Sequence, residues 1–110
     1  MGRASARKGA GGERELAAVL REYGYNVERG GTQSYGERPD LFGLPNIHLE
    51  AKRCETLRLP LWLRQAERDA ERFGGMPTVF FRRNREPWYV CMKLSDWMQL
   101  YKKSDFGGKF

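Results

Sequence analysis

The stretch "RPDLFGLPNIHLEAKR", residues 38–53, decides the fold prediction. It contains two short apolar segments, and the turn residues Pro45 and Asn46 separate them. Apolar and polar residues alternate along the second segment, which predicts a strand with two different faces. The polar face of that strand carries His48, Glu50 and Lys52.

The acidic residues of this stretch indicate a metal site. Asp40 opens the first segment, and if the two strands are hairpin neighbours, Asp40 and Glu50 lie within roughly 5 Å of each other. Carboxylates at that separation suit Mg²⁺, and Lys52 projects from the same face as Glu50, within reach of a water or phosphate. The alternatives are that Asp40 is a turn residue after Pro39 and that the Glu-x-Lys spacing arises by chance.

A helix is predicted over residues 12–23, because Leu16, Val19, Leu20 and Tyr23 recur at helical spacing and Gly24 follows. Glu13 falls within the inward arc of Leu16 and Leu20, where a carboxylate needs a metal ion or an arginine as partner. Alternatively, Glu13 only favours the dipole of the helix N-terminus. Residues 1–12 lack large apolar side chains after Met1 and are expected to form a basic flexible arm.

The remaining patterns complete the order α-β-β-β-α-β-β-α, which predicts an α/β domain with a mixed central sheet flanked by helices. A short strand is expected at residues 25–27, a helix after Pro60, and a hairpin around residues 84–86. Ser95 is expected to cap a last helix, and residues 103–110 to form a loose tail. We expect residues 1–110 to be one domain.

The charge balance favours a polyanionic partner, because 20 Lys+Arg against 14 Asp+Glu give a net charge of +6. The predicted second helix carries an arginine stripe that could bind phosphates or pair with Glu67 and Glu71. The stripe comprises Arg64, Arg68 and Arg72. Two cysteines and one histidine are too few for the four Cys or His ligands of a typical structural zinc site. No apolar run reaches membrane-spanning length, so we expect a cytoplasmic, nucleoid-associated protein without membrane contact.

Four motifs together resemble the archaeal-type Holliday junction resolvases of the PD-(D/E)xK nuclease superfamily. The motifs are "RKGAGGEREL" (7–16), "RPDLFGL" (38–44), "HLEAKR" (48–53) and "ERFGGMPTVFF" (71–81). The resemblance spans about residues 7 to 92 and implies a restriction-endonuclease-like fold. It also implies a homodimer that makes paired nicks in four-way DNA junctions with Mg²⁺, for which Mn²⁺ could substitute.

The resemblance assigns roles by position. It implies that Asp40, Glu50 and Glu13 hold the metal, that Lys52 completes the catalytic set, and that basic residues near the helix start bind DNA. Those basic residues are Arg7, Lys8 and Arg14. Two alternatives stay open: another nuclease of this superfamily that acts on duplex, nicks or flaps, and a non-catalytic DNA-binding module. A cellular or a viral origin fits the sequence equally.

Overall fold

The computed structural model describes the backbone of residues 2–30 and 38–107 and the side chains of residues 11–30 and 38–107. The elements follow in the predicted order. They are α1 (Gly2–Glu22), β1 (Glu28–Arg29), β2 (Leu41–Phe42), β3 (Ile47–Arg53), α2 (Leu59–Phe73), β4 (Met76–Arg82), β5 (Tyr89–Met92) and α3 (Leu94–Lys103).

The main sheet is mixed, as predicted. β4 lies in its centre, parallel to β3 and antiparallel to β5, which confirms the hairpin between β4 and β5. β3 is thus an edge strand of this three-stranded sheet. The mixed sheet with flanking helices fits the restriction-endonuclease-like class.

The two long helices cover opposite faces of the sheet. Leu16 of α1 packs in one buried cluster with Leu49 and Phe80, whereas Trp62 and Ala66 of α2 pack in another with Val79. Side chains alternate between the faces of a strand, so Leu49 points toward α1 and Glu50, the register partner of Val79, points toward α2. The polar face predicted for β3 is therefore the face that α2 covers.

The hairpin considered for β2 and β3 is wrong. β2 pairs with β1 in a separate two-stranded sheet, and β3 pairs with β4. The start of β4 lies against the turn that precedes β3, where the Met76 N–H donates to the Asn46 carbonyl at 2.8 Å. This approach requires glycine before β4, because a Cβ on Gly75, at φ +92°, would lie 2.8 Å from the His48 nitrogen.

Three boundaries also differ from the predictions. Helix α1 begins at Gly2 and includes the stretch expected to be a flexible arm. That stretch can continue the helix because it has no proline and because extending an existing helix costs less free energy than nucleating one. The first strand lies at Glu28–Arg29 instead of residues 25–27. Lys93 is the N-cap of α3 without a side-chain cap bond, so the capping role of Ser95 is wrong. Residues 108–110 of the expected tail lie outside the described residues.

Candidate active site

Asp40 is held at the entrance of β2 by the pairing of β1 with β2. The Asp40 carbonyl accepts a hydrogen bond from the Gly30 N–H at 2.9 Å. A Cβ on Gly30 would collide with the carbonyl oxygen of Pro39, so only glycine allows this approach. Asp40 itself is exposed, and its carboxylate is therefore available to a ligand.

Glu50 lies in the middle of β3 and is 9% exposed. It occupies the α2 face of the strand, next to the apolar Val79 in the sheet register. A buried carboxylate is costly unless another group compensates its charge. Among the described residues, the one basic side chain within 4.0 Å of its carboxylate is His48, whose Nε2 lies 3.8 Å from Glu50 Oε1, too far for a hydrogen bond.

Glu13 is the twelfth residue of α1, far beyond the first turn where the helix dipole acts. The dipole explanation therefore does not account for Glu13. Its Oε1 lies 3.3 Å from Arg29 Nε, which supplies the arginine partner considered from the sequence. Burial and the negative charge of Asp40 nevertheless raise the pKa of Glu13, and Arg29 only partly offsets them.

One polar cavity joins these three carboxylates. It has a volume of about 220 Å³, and its lining includes Glu13, Asp40 and Glu50 together with His48, Asp69 and Arg72. The carboxylates come from α1, the residue before β2, and β3, so the tertiary fold brings together groups that are up to 37 positions apart in sequence (13 to 50). Hard oxygen donors that converge in this way suit a divalent cation. Burial first, and then the negative charge of Asp40, raise the pKa of Glu13, and a bound cation would offset both effects.

Lys52 does not line this cavity but lies beside it on the same strand face as Glu50. Its Nζ donates a hydrogen bond to Gln65 Oε1 of α2 at 3.0 Å, and both side chains are half-buried. The amide therefore holds the ammonium group on the strand face that also carries Glu50. Gln65 thus has a defined contact, whereas its sequence position favours a solvated side chain.

Sequence patterns alone do not identify two residues of this site. The alternation along β3 favours a surface position for His48, but the residue is only 4% exposed, because α2 covers its face of the strand. Asp69 of α2 belongs to no motif, yet it lies in one cluster with His48 and Glu50, with ligand atoms within 4.8 Å of one another. The sequence does contain a signal for Asp69, because spacings of four and three place Gln65, Asp69 and Arg72 on one polar arc of the helix.

The arginine stripe of α2 borders the same arc, and its three side chains are accessible to solvent. Its predicted alternative, pairing with Glu67 and Glu71, is not seen: Glu67 contacts Lys93 at 3.2 Å, and no salt bridge between described side chains includes Arg64, Arg68 or Arg72. Arg72 places its guanidinium 4.9 Å from the ring centre of Phe73 at the cavity rim.

The basic residues of α1 are described less fully. Arg14 is exposed. Arg7 and Lys8 lie on the helix, but their side chains are outside the described set. Across the described residues, no helix combines the length and apolar character needed to cross a membrane.

Comparison with known families gives one match over almost the whole chain. A family model described as "Phage putative PDDEXK endonuclease" matches residues 4–107. A search of curated proteins finds no match. The family match agrees with the PD-(D/E)xK superfamily predicted from the motifs, whereas the archaeal-type resolvase assignment stays a prediction.

Proposed function

Because the chain belongs to this phage family of PDDEXK endonucleases, we propose that it hydrolyses DNA phosphodiester bonds at the cavity of Glu13, Asp40 and Glu50. The observation that carries the proposal is the convergence of these three carboxylates in one polar cavity. A lysine held beside that cavity adds the cationic group that such chemistry needs.

Asp40 and Glu50 would hold a Mg²⁺ ion, and Glu13 would complete or support its ligand set. Carboxylate oxygens are the donors that Mg²⁺ prefers, and a bound cation would offset the burial and the Asp40 charge that raise the pKa of Glu13. A bound divalent ion supplies charge neutralisation at the phosphate and a lower pKa for a coordinated water. Mn²⁺ prefers similar donors and would serve as a substitute.

Lys52 would orient the attacking water and stabilise the charge that develops on the phosphate. Its hydrogen bond to Gln65 fixes the ammonium before substrate binds, so less side-chain freedom is lost in the transition state. Gln65 is then a positioning residue, because it acts through Lys52.

The arginines of α2 would bind the DNA backbone beside the cavity. Arg64, Arg68 and Arg72 lie four residues apart on one side of the helix, and Arg72 reaches the cavity rim. Guanidinium groups suit phosphate oxygens because they donate two parallel hydrogen bonds. We assign Arg7, Lys8 and Arg14 of α1 to the same role.

We further propose a four-way DNA junction as the substrate and a homodimer as the active form. The resolvase motifs support the junction, and an unburied apolar surface supports the dimer. The ten residues of α3 include none that is buried. Trp97 is 45% exposed, and its ring lies 5.0 Å from that of Tyr101, while Val90 of the edge strand β5 is 57% exposed. Two copies packed through this surface would place one cavity on each of two DNA strands.

A cleavage assay on labelled synthetic DNA tests the substrate. The purified chain, with Mg²⁺, is incubated with a four-way junction and with linear, nicked and flapped duplexes of the same sequence. The proposal predicts paired nicks in the junction and little cutting elsewhere, and it predicts that Glu50→Gln abolishes them. Comparable cutting of linear duplex would contradict the junction assignment and favour the duplex nuclease.

A further inference from the structure

The cavity contains a second set of metal donors, which shares only Glu50 with the proposed Mg²⁺ site. His48, Glu50 and Asp69 each offer a ligand atom, and these atoms all lie within 4.8 Å of one another. Asp40 and Glu13 are not members of this cluster. The set comes from two elements, since His48 and Glu50 alternate along β3 while Asp69 faces them from α2.

His48 provides the independent sign of a ligand. The residue is 4% exposed, and its Nδ1 and Nε2 both lack a hydrogen-bond partner among the described residues. Buried polar atoms are satisfied in the great majority of cases, so two orphaned ring nitrogens need an explanation. The imidazole lines the polar cavity, where an ion can reach it.

The donor set distinguishes this position from a Mg²⁺ site. One imidazole nitrogen and two carboxylates provide two negative charges and one softer donor. Mg²⁺ rarely uses nitrogen, whereas the first-row transition metals bind imidazole well.

We propose that His48, Glu50 and Asp69 form a second cation site, on the α2 side of the cavity, that takes a first-row transition-metal ion. This second site lies within the proposed active-site cavity. It rests on the proposed function because Glu50 belongs to both ligand sets. Asp69 and Arg72 of α2 both line the cavity, so an ion held by Asp69 would lie on the side of the cavity that carries the arginine stripe.

The chain contains one histidine, so nuclear magnetic resonance of the ring nitrogens tests the site without a substitution. Zn²⁺ is titrated into ¹⁵N-labelled, untagged protein, and the imidazole nitrogens are followed. We expect the ¹⁵N resonance of one ring nitrogen of His48 to shift at one equivalent of Zn²⁺ and to stay unchanged when Mg²⁺ is added. Because the ring is the readout, Zn²⁺ binding to the thiols of Cys54 or Cys91 does not count.

Asp69→Asn is the matching variant, and Glu71→Gln, an exposed position on the same helix, is its control. Asp69→Asn is expected to weaken the Zn²⁺ response of the ring by at least about tenfold, and the control to leave it unchanged. A ring that ignores Zn²⁺, or an Asp69→Asn variant that binds as tightly as the wild type, would overturn the proposal. DNA cleavage with Mg²⁺ is measured on the same samples. If cleavage persists while the ring nitrogens do not respond to Zn²⁺, the second cation site alone is refuted. If the ring nitrogens respond to Zn²⁺ but no cleavage occurs, the result counts against the nuclease function.

Discussion

Replacing Lys52 by methionine removes the ammonium group while keeping an unbranched side chain in the same space. Lys52 Nζ lies 3.0 Å from Gln65 Oε1. Lys52 follows Glu50 by two positions, so both side chains project from the same face of the strand. Loss of one preorganised donor to developing charge lowers kcat by about 10² to 10³, or roughly 2.7–4 kcal/mol in activation free energy. We therefore expect the single-turnover nicking rate of Lys52→Met to fall by that factor.

The folding cost should be smaller than the catalytic cost. A hydrogen bond that involves a charged group contributes about 1.5–3 kcal/mol, and burial of the methionine side chain offsets part of its loss. Metal affinity should stay unchanged, because Lys52 is not a ligand. Single-turnover nicking at saturating DNA and Mg²⁺, urea denaturation and calorimetric metal titration separate the three quantities, with the exposed Lys102→Met as the control.

Gln65→Leu provides the second arm of this experiment. It removes the acceptor but leaves the ammonium, so we expect a smaller fall, about 10- to 100-fold. If Gln65 acts through Lys52, the double variant should nick no more slowly than Lys52→Met alone, because the two effects are not additive. The role assigned to Lys52 would be refuted if Lys52→Met nicked DNA at the wild-type rate. It would also be refuted if the variant lost metal binding together with nicking.

Three further perturbations test the site, the core and the DNA surface. Glu13→Gln should raise the free energy of unfolding of the metal-free protein at about pH 7 and change it little at about pH 4. Folding raises the pKa of Glu13, so the folded protein loses stability as the pH rises from the unfolded-state pKa of this carboxyl through its folded-state pKa. The glutamine variant lacks this loss. Urea denaturation at both pH values checks this, and an equal effect at both would contradict it. Leu16→Ala should cost about 2–5 kcal/mol, since Leu16 is 1% exposed in the α1 cluster, whereas Leu94→Ala, at 72% exposure, should cost little. The Arg64→Gln, Arg68→Gln double variant should weaken DNA binding and reduce the slope of log K against log salt by up to about 0.9 for each phosphate that the protein no longer neutralises; fluorescence anisotropy across a salt series would show an unchanged slope if neither arginine binds DNA.

Local patterns predicted the element order and the choice of Glu13. Hydrophobic spacing is a property of neighbouring residues, so the helices, the β4–β5 hairpin and the inward arc of α1 could be derived from it. The same spacing places Glu13 on the arc of Leu16, and in the structure Glu13 lines a cavity together with Asp40 and Glu50.

Properties set by distant residues could not be predicted in this way. The partner of β3 depends on β4, which follows α2, and on the close approach that Gly75 allows. Burial of His48 depends on which face of the sheet α2 covers, and alternation along one strand does not contain that information. Helical spacing places Asp69 on one arc with Gln65 and Arg72, but it does not show that this arc faces His48 and Glu50 across the cavity.

Metal-dependent DNA cleavage at the carboxylate cavity is tested most directly by Asp40→Asn in parallel assays of DNA cleavage and DNA binding. Such a site predicts that the wild type nicks DNA with Mg²⁺ and not with a chelator. It also predicts that Asp40→Asn loses nicking while binding DNA at least as tightly, because one negative charge is removed near the phosphates. A variant that nicks at the wild-type rate, or a wild type that nicks equally well with the chelator, would contradict it.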